Sequence, residues 1–412
     1  MKPPFGFALV ARVASPLVKL GDGPRPFSTL REDAILTALA GWTLISLFWD
    51  GITHNNETGQ DSFWSAAHIS MYLGLAAIGV WILIVLLRRQ DRRPYQLNKI
   101  PIGYGLALLA LPMAALAGPA DFIWHELYGF ENQTDSAYSA SHQFLFLSGA
   151  LLAAIPLAAA WQRRGVAPTF QRLFPAIAAA TLVLAVGLFV AHLLSPFYAG
   201  GFVPTDAFQN DITRYPDGYA PGSNVDHVDA MAQALVHYGD RPWPYYFYST
   251  MAAVAGILIW SAALVGMTLY LLRRWRLPLG TVTFMWSALG FLFAMIDEYR
   301  SWELIPVLIL GGIAGDLILH RVGRFAPRPS AGRIFAIAAP PILWALYFLD
   351  IEVLGDGLGW EPTIWVGMLT SSAGVGFAVS LLAFPSRAPD RLDEEARDVA
   401  VEADERREAV GV

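Results

Sequence analysis

Cysteine is absent from the 412 residues. Disulfides and thiolate ligation are therefore excluded, and any metal must be held by histidine and carboxylate. Charge is scarce too: Asp, Glu, Lys and Arg make up 15% of the chain against 55% hydrophobic residues. Such a balance excludes an ordinary soluble domain and describes a polytopic membrane protein. No flavin, haem or nicotinamide motif is present, and Gly103 to Gly105 and Gly311 to Gly315 do not read as phosphate loops. The second glycine group falls in an apolar run, where small residues permit close helix packing.

What the chain has in quantity is long apolar runs. They lie near 33 to 49, 65 to 87, 100 to 122, 140 to 161, 173 to 194, 246 to 272, 279 to 297, 301 to 319, 334 to 350 and 361 to 384. A hydrocarbon core of about 30 Å needs about 20 apolar residues per helix, and lipid leaves no partner for backbone groups outside the segment. The expected fold is all-α, a polytopic membrane bundle of ten transmembrane helices. Its expected parts are an N-terminal segment 1–32, a five-helix half 33–194, an extracytoplasmic loop or lid 195–245, a second five-helix half 246–384 and a charged tail 385–412. The run Phe5 to Val10, interrupted by Arg12, does not read as a signal peptide.

Basic residues are retained on the cytoplasmic side of membranes, and here they alternate. Arg88, Arg89, Arg92, Arg93 and Lys99 fall in one loop, Arg163, Arg164 and Arg172 in another, and Arg273, Arg274 and Arg276 in a third. Segments 50 to 63, 121 to 138 and 350 to 360 hold no Lys or Arg. Both termini are thus expected in the cytoplasm of a plasma-membrane protein, and the arginines require no nucleic acid partner. On this topology His54, His68, His125, His142, His192, His227 and His237 all fall at the outer face, with His320 alone inside. Asp316 and His320 read as a structural pair. Trp49, Trp64, Trp124, Tyr128 and Tyr138 read as an interfacial aromatic belt.

Two outer stretches share one pattern. Asp50 and His54 are followed by His68, and Asp121 and His125 by His142. Residues four apart share a helix face, and an antiparallel hairpin returns the start of one helix to the end of the last. Each hairpin is therefore expected to supply three ligands and to leave coordination positions open, as exchangeable or catalytic sites do. The sulfur-free, imidazole-rich set points to copper, with zinc or iron as alternatives. Glu126 and Asp135 are candidate proton carriers, and Asp61 a further acceptor for an imidazole N–H. An isolated Asp-x3-His pair at a helix end also has a simpler reading, as a hydrogen-bonded pair with the helix dipole favouring His⁺.

The stretch Asp121-x2-Trp124-His125, followed by Asp135-Ser-Ala-Tyr-Ser-Ala-Ser-His142, resembles the metal-site signature of the C subunit of particulate methane and ammonia monooxygenases. That signature reads Asp-x2-Trp-His, then Asp-Thr-Asp-Phe-Thr-Pro-Ser-His. Asp50-x3-His54-x13-His68 is similar to the same subunit's second site, Asn-x3-His-x13-His. The resemblance implies copper ligands at Asp121, His125 and His142, and at Asp50, His54 and His68. It covers about 90 residues and departs from the pattern in several ways. Four extra residues separate His125 from His142, Ala140 replaces Pro, Asp50 replaces Asn, and the hairpins come in the opposite order.

The function expected is a copper-dependent membrane oxidoreductase of monooxygenase type, drawing electrons from a quinol or a reductant protein. The alternatives are a proton-coupled transporter or metal-handling protein, and a noncatalytic subunit with a structural metal, in a homo- or hetero-oligomer. Asp297, Glu298 and Glu303, then Asp350, Glu352 and Glu361, mark corresponding helix ends in the second half, as duplicated helical hairpins would. Asp226, His227, Asp229 and His237 mark the 195–245 segment as a lid, and His192 as a further ligand or an interfacial residue.

Overall fold

The computed structural model describes residues 18–56, 63–90, 94–129, 137–163, 165, 167–197, 243–296, 298–355 and 357–385. Ten α-helices account for nearly all of these: α1 (Leu30–Asn56), α2 (Ala66–Leu87), α3 (Ala107–Tyr128), α4 (Ala140–Gln162), α5 (Phe170–Val190), α6 (Trp243–Arg274), α7 (Thr281–Ile296), α8 (Leu304–Val322), α9 (Arg328–Val353) and α10 (Pro362–Ala383). A two-residue parallel pairing of β1 (Val18–Lys19) with β2 (Tyr95–Gln96) is the sole sheet among the described residues. Nine of the helices are long and apolar enough to cross a membrane, and the chain is a multi-pass helical bundle. The tenth, α7, has 16 residues and at 1.5 Å per residue is about 24 Å long, short of the hydrocarbon core of about 30 Å.

Local chemistry sets the helix starts. Thr29 and Glu32 form a reciprocal capping box at α1, with Glu32 Oε2 accepting from Thr29 N at 2.8 Å and Thr29 Oγ1 from Glu32 N at 3.2 Å. Ser65 caps α2 by accepting from His68 N. The start of α7 is capped from another helix. Asp316 on α8 accepts from Val282 N at 3.1 Å and from Thr283 N at 2.9 Å. Asp316 thus serves the α7 terminus, while His320 Nε2 meets Arg324 Nη2 at 2.7 Å. Gly312 permits this approach, since a Cβ there would lie 2.7 Å from the Thr283 Cα.

Consecutive helices pack as antiparallel hairpins, α1 with α2, α3 with α4, α7 with α8 and α9 with α10. In the first, Ser46 meets Ser70 at 2.8 Å and Trp42 donates to Ser70. The same pairing brings Arg89 to Glu32 at one end and His68 to Asp50 at the other. One end of the bundle therefore collects histidines and the opposite end arginines. Between α7 and α8, Glu298 and Tyr299 both take left-handed φ values, 57° and 60°. Tyr299 N donates to Ala294 O at 2.7 Å and closes the turn. The expected lid residues 198–242 and the tail from 386 lie outside the described residues, as does Asp297.

At the arginine end, Arg163 Nη2 lies 2.5 Å from Asp33 Oδ2 and also donates to the carbonyl and hydroxyl of Ser28. Tyr104 donates to the other Asp33 oxygen at 3.2 Å. Asp33 is almost wholly shielded, so its charge depends on these donors. Replacing Arg163 by Ala is expected to destabilise the detergent-solubilised protein by about 3 kcal/mol or more. A thermal unfolding midpoint equal to that of the wild type would contradict this.

Candidate metal centre

Helix ends bring the histidine-end residues together. Asp50 lies nearly two turns before the end of α1, His68 opens α2, Asp121 and His125 lie on the last turns of α3, and His142 opens α4. All five are buried. The ligand-capable atoms of His68, Asp121 and His125 lie within 4.8 Å of one another. This trio draws on both hairpins. His142 Nε2 lies 3.1 Å from Asp121 Oδ1 and His125 Nε2 lies 3.7 Å from it, while His68 Nδ1 lies 3.2 Å from Asp50 Oδ1. Asp121, His125 and His142 of one expected set thus lie together, and His68 of the other set joins them.

Each ring is oriented from behind. His125 Nδ1 meets Gly129 O at 3.3 Å. A carbonyl can only accept, so Nδ1 carries the proton and Nε2 is the nitrogen turned toward Asp121. His68 Nδ1 lies between Ser65 Oγ at 3.1 Å and Asp50 Oδ1. Tyr72, one turn beyond His68, donates to Asp121 Oδ2 at 2.6 Å. The other oxygen, Oδ1, is fully shielded and receives no aligned hydrogen bond, although two imidazole nitrogens approach it. Phe63 closes the side of the cluster, with its ring 5.1 Å from His68, 5.5 Å from Tyr72 and 5.9 Å from His125.

The remaining expected residues fall elsewhere. The side chain of His54, and Asp61 and Asp135, lie outside the described residues. Glu126 is exposed beside the buried His125. Trp49, Trp64, Tyr128 and Tyr138 are exposed at the histidine end. Tyr72 and Phe63 were not among the expected site residues. The available signal was spacing, since Tyr72 is four residues after His68 and shares its helix face.

Below the cluster, a cavity of about 60 Å³ runs between α1, α2, α4 and α5, with Asp50, His142 and His192 at its polar end. His192 is buried in the short turn after α5 and meets Phe189 O through Nδ1 at 2.8 Å. Comparison with protein-family models, with curated proteins and with solved structures finds no match to this chain. The fold and cluster themselves define its class as a multi-pass helical membrane protein with a buried His/Asp group suited to a metal ion.

Burial lowers the His192 pKa from the ordinary histidine value, outweighing the bond to Phe189 O, which raises it. A histidine with a depressed folded pKa stabilises fully above its unfolded value of about 6.5, and that contribution is lost as pH falls toward the folded pKa. Stability in detergent is expected to decline as pH falls below about 6.5. His192→Gln is expected to flatten that decline by at most about 1.4 kcal/mol per pH unit, and an identical slope in the variant would show that His192 does not titrate in this window.

Proposed function

We propose that the protein is a metal-dependent membrane oxidoreductase of monooxygenase type, with copper the leading metal and zinc or iron the alternatives. One observation supports this most directly. His68, Asp121 and His125, buried and drawn from two hairpins, turn ligand-capable atoms to within 4.8 Å of one another. A carboxylate as fully buried as Asp121 needs a compensating charge beside it. A metal ion would meet this need and would also engage His68, whose nitrogen completes the trio. Side-chain shifts of about an ångström bring a trio of this spacing to the separations that ligands about 2 Å from a shared ion require.

His68, Asp121 and His125 would hold the ion. Asp50 lies behind His68 and Tyr72 fixes Asp121, the arrangement by which outer groups set ring orientation and ligand basicity. Copper at this place would supply dioxygen activation, and the electrons would come from a quinol or a separate reductant protein. The sulfur-free donor set and the resemblance to the copper monooxygenase C subunit support this choice of metal. Basic loops at the opposite end support a cytoplasmic placement for the arginine end and an extracytoplasmic one for the centre. A proton-coupled transporter would need ionisable groups along the membrane depth. Below Asp50, the cavity lining carries none.

Detergent-purified wild type, kept metal-replete, is expected to retain about one ion per chain, and His125→Ala and His68→Ala only traces. Tyr72→Phe keeps the ligands and is expected to weaken binding about 10- to 100-fold in chelator competition. Retention of only trace copper, zinc or iron by the wild type overturns the reading. Quinol-dependent oxygen consumption by the loaded protein tests the oxidoreductase class.

A further inference from the structure

Asp50 and His142, at the edge of the polar cluster, form with His192 the mouth of a longer cavity. Four helices line it with residues at helical spacing, such as Ala40, Leu44, Leu47 and Gly51 on α1. From Gly51 at the mouth to Ala40 at the far end is eleven residues, or about 16 Å along the helix axis. On α4 the lining runs the same distance, from His142 to Ala153. A volume of about 60 Å³ spread over that length makes a slot rather than a chamber. Thr43, the one polar side chain below the mouth, donates its hydroxyl to Leu39 O in its own helix and adds little polarity to the wall.

We infer that this slot binds a single unbranched aliphatic chain, a linear alcohol or alkane, with one terminus at the Asp50, His142 and His192 end. The shape argument is the main one. An extended alkyl chain advances about 1.25 Å per carbon–carbon bond, so a length of about 16 Å takes roughly ten carbons once the van der Waals radii of the two ends are counted. Branched or cyclic molecules of equal carbon number are wider than an extended chain and match a long, thin void less well. Transfer from lipid into the slot gains nothing from the hydrophobic effect, because lipid tails are equally apolar. Selection therefore comes from filling the void, whose walls otherwise lack contact partners, and from the polar groups at the mouth. A terminal hydroxyl placed there keeps its hydrogen bonding while the chain lies along the helices.

Gly149 on α4 provides a plug position. It lines the slot, and a Cβ built there meets nothing within 4 Å. A larger side chain at 149 thus enters open space rather than a neighbouring helix. Identifying the chain as the substrate rests on the metal-centre reading; its binding does not.

The test is photolabelling of the full-length protein in lipid nanodiscs with decanol bearing a diazirine at its methyl end, in metal-loaded and metal-free samples. Expected are adducts on deep slot residues such as Ala40, Ile78 and Ala153, removed by excess decanol and retained in excess cyclodecanol. In Gly149→Leu the slot adducts are expected to be lost while metal content is kept. Adducts confined to lipid-facing residues of α3 and α10, or equal competition by cyclodecanol, overturn the inference even if Gly149→Leu does not fold, since both are read on the wild type. Slot labelling in a wild type that holds no metal would keep the slot and remove the metal-centre reading. Metal retention without slot labelling would do the reverse.

Discussion

Asp121 joins three helices through one carboxylate. Its Oδ2 takes the Tyr72 hydroxyl from α2, and its Oδ1 faces His142 of α4 and His125 of its own helix. The group is completely buried, so its charge cannot be solvated by water and must be met by these neighbours. The two hairpins also pack on each other through α1 and α4, and α2 shares an apolar core with α3 that includes Ile78, Ile82, Ala107 and Ala110. The carboxylate adds a polar tie to that packing at the histidine end. Side chains of both hairpins meet here in one buried group.

Much of the bundle was legible from apolar run length, because lipid forces each run into a helix. The ten expected segments correspond to α1–α10, and the reversal around Arg300 separates α7 from α8. The candidate site was legible only in part. Periodicity relates Asp121 to His125 and a hairpin returns His142 to them, and both relations are found in the structure. Spacing within a hairpin says nothing about how one hairpin lies against the next. His68 could not be placed with Asp121 on sequence grounds, and Tyr72 carried no motif. Asp50 illustrates the same limit, since its proximity to His68 assigns it to the back of an imidazole.

Opposite ends of the bundle solve the problem of buried charge in different ways. At the arginine end, Asp33 is matched by a permanent cation in Arg163, with Arg274 binding the Trp161 and Arg163 carbonyls nearby. Arg cannot release its proton, and this arrangement is fixed. At the histidine end the carboxylates face imidazoles, which can be neutral donors, cations or ligands. The fixed end suits support, and the adaptable end suits chemistry.

The brevity of α7 has a consequence for the lipid around it. At about 24 Å this helix does not match a hydrocarbon core of about 30 Å, yet only Phe291 along its length is exposed, so most of the mismatch is screened by neighbouring helices. The turn that follows is not screened: Tyr299 and Trp302 are exposed there. Aromatic rings of this type settle at the headgroup level. A bilayer that thins on this flank to meet them does so at a cost of fractions of a kcal/mol per ångström, which falls as the acyl chains shorten. Bilayer thickness thereby becomes a variable to which one side of the protein is tuned.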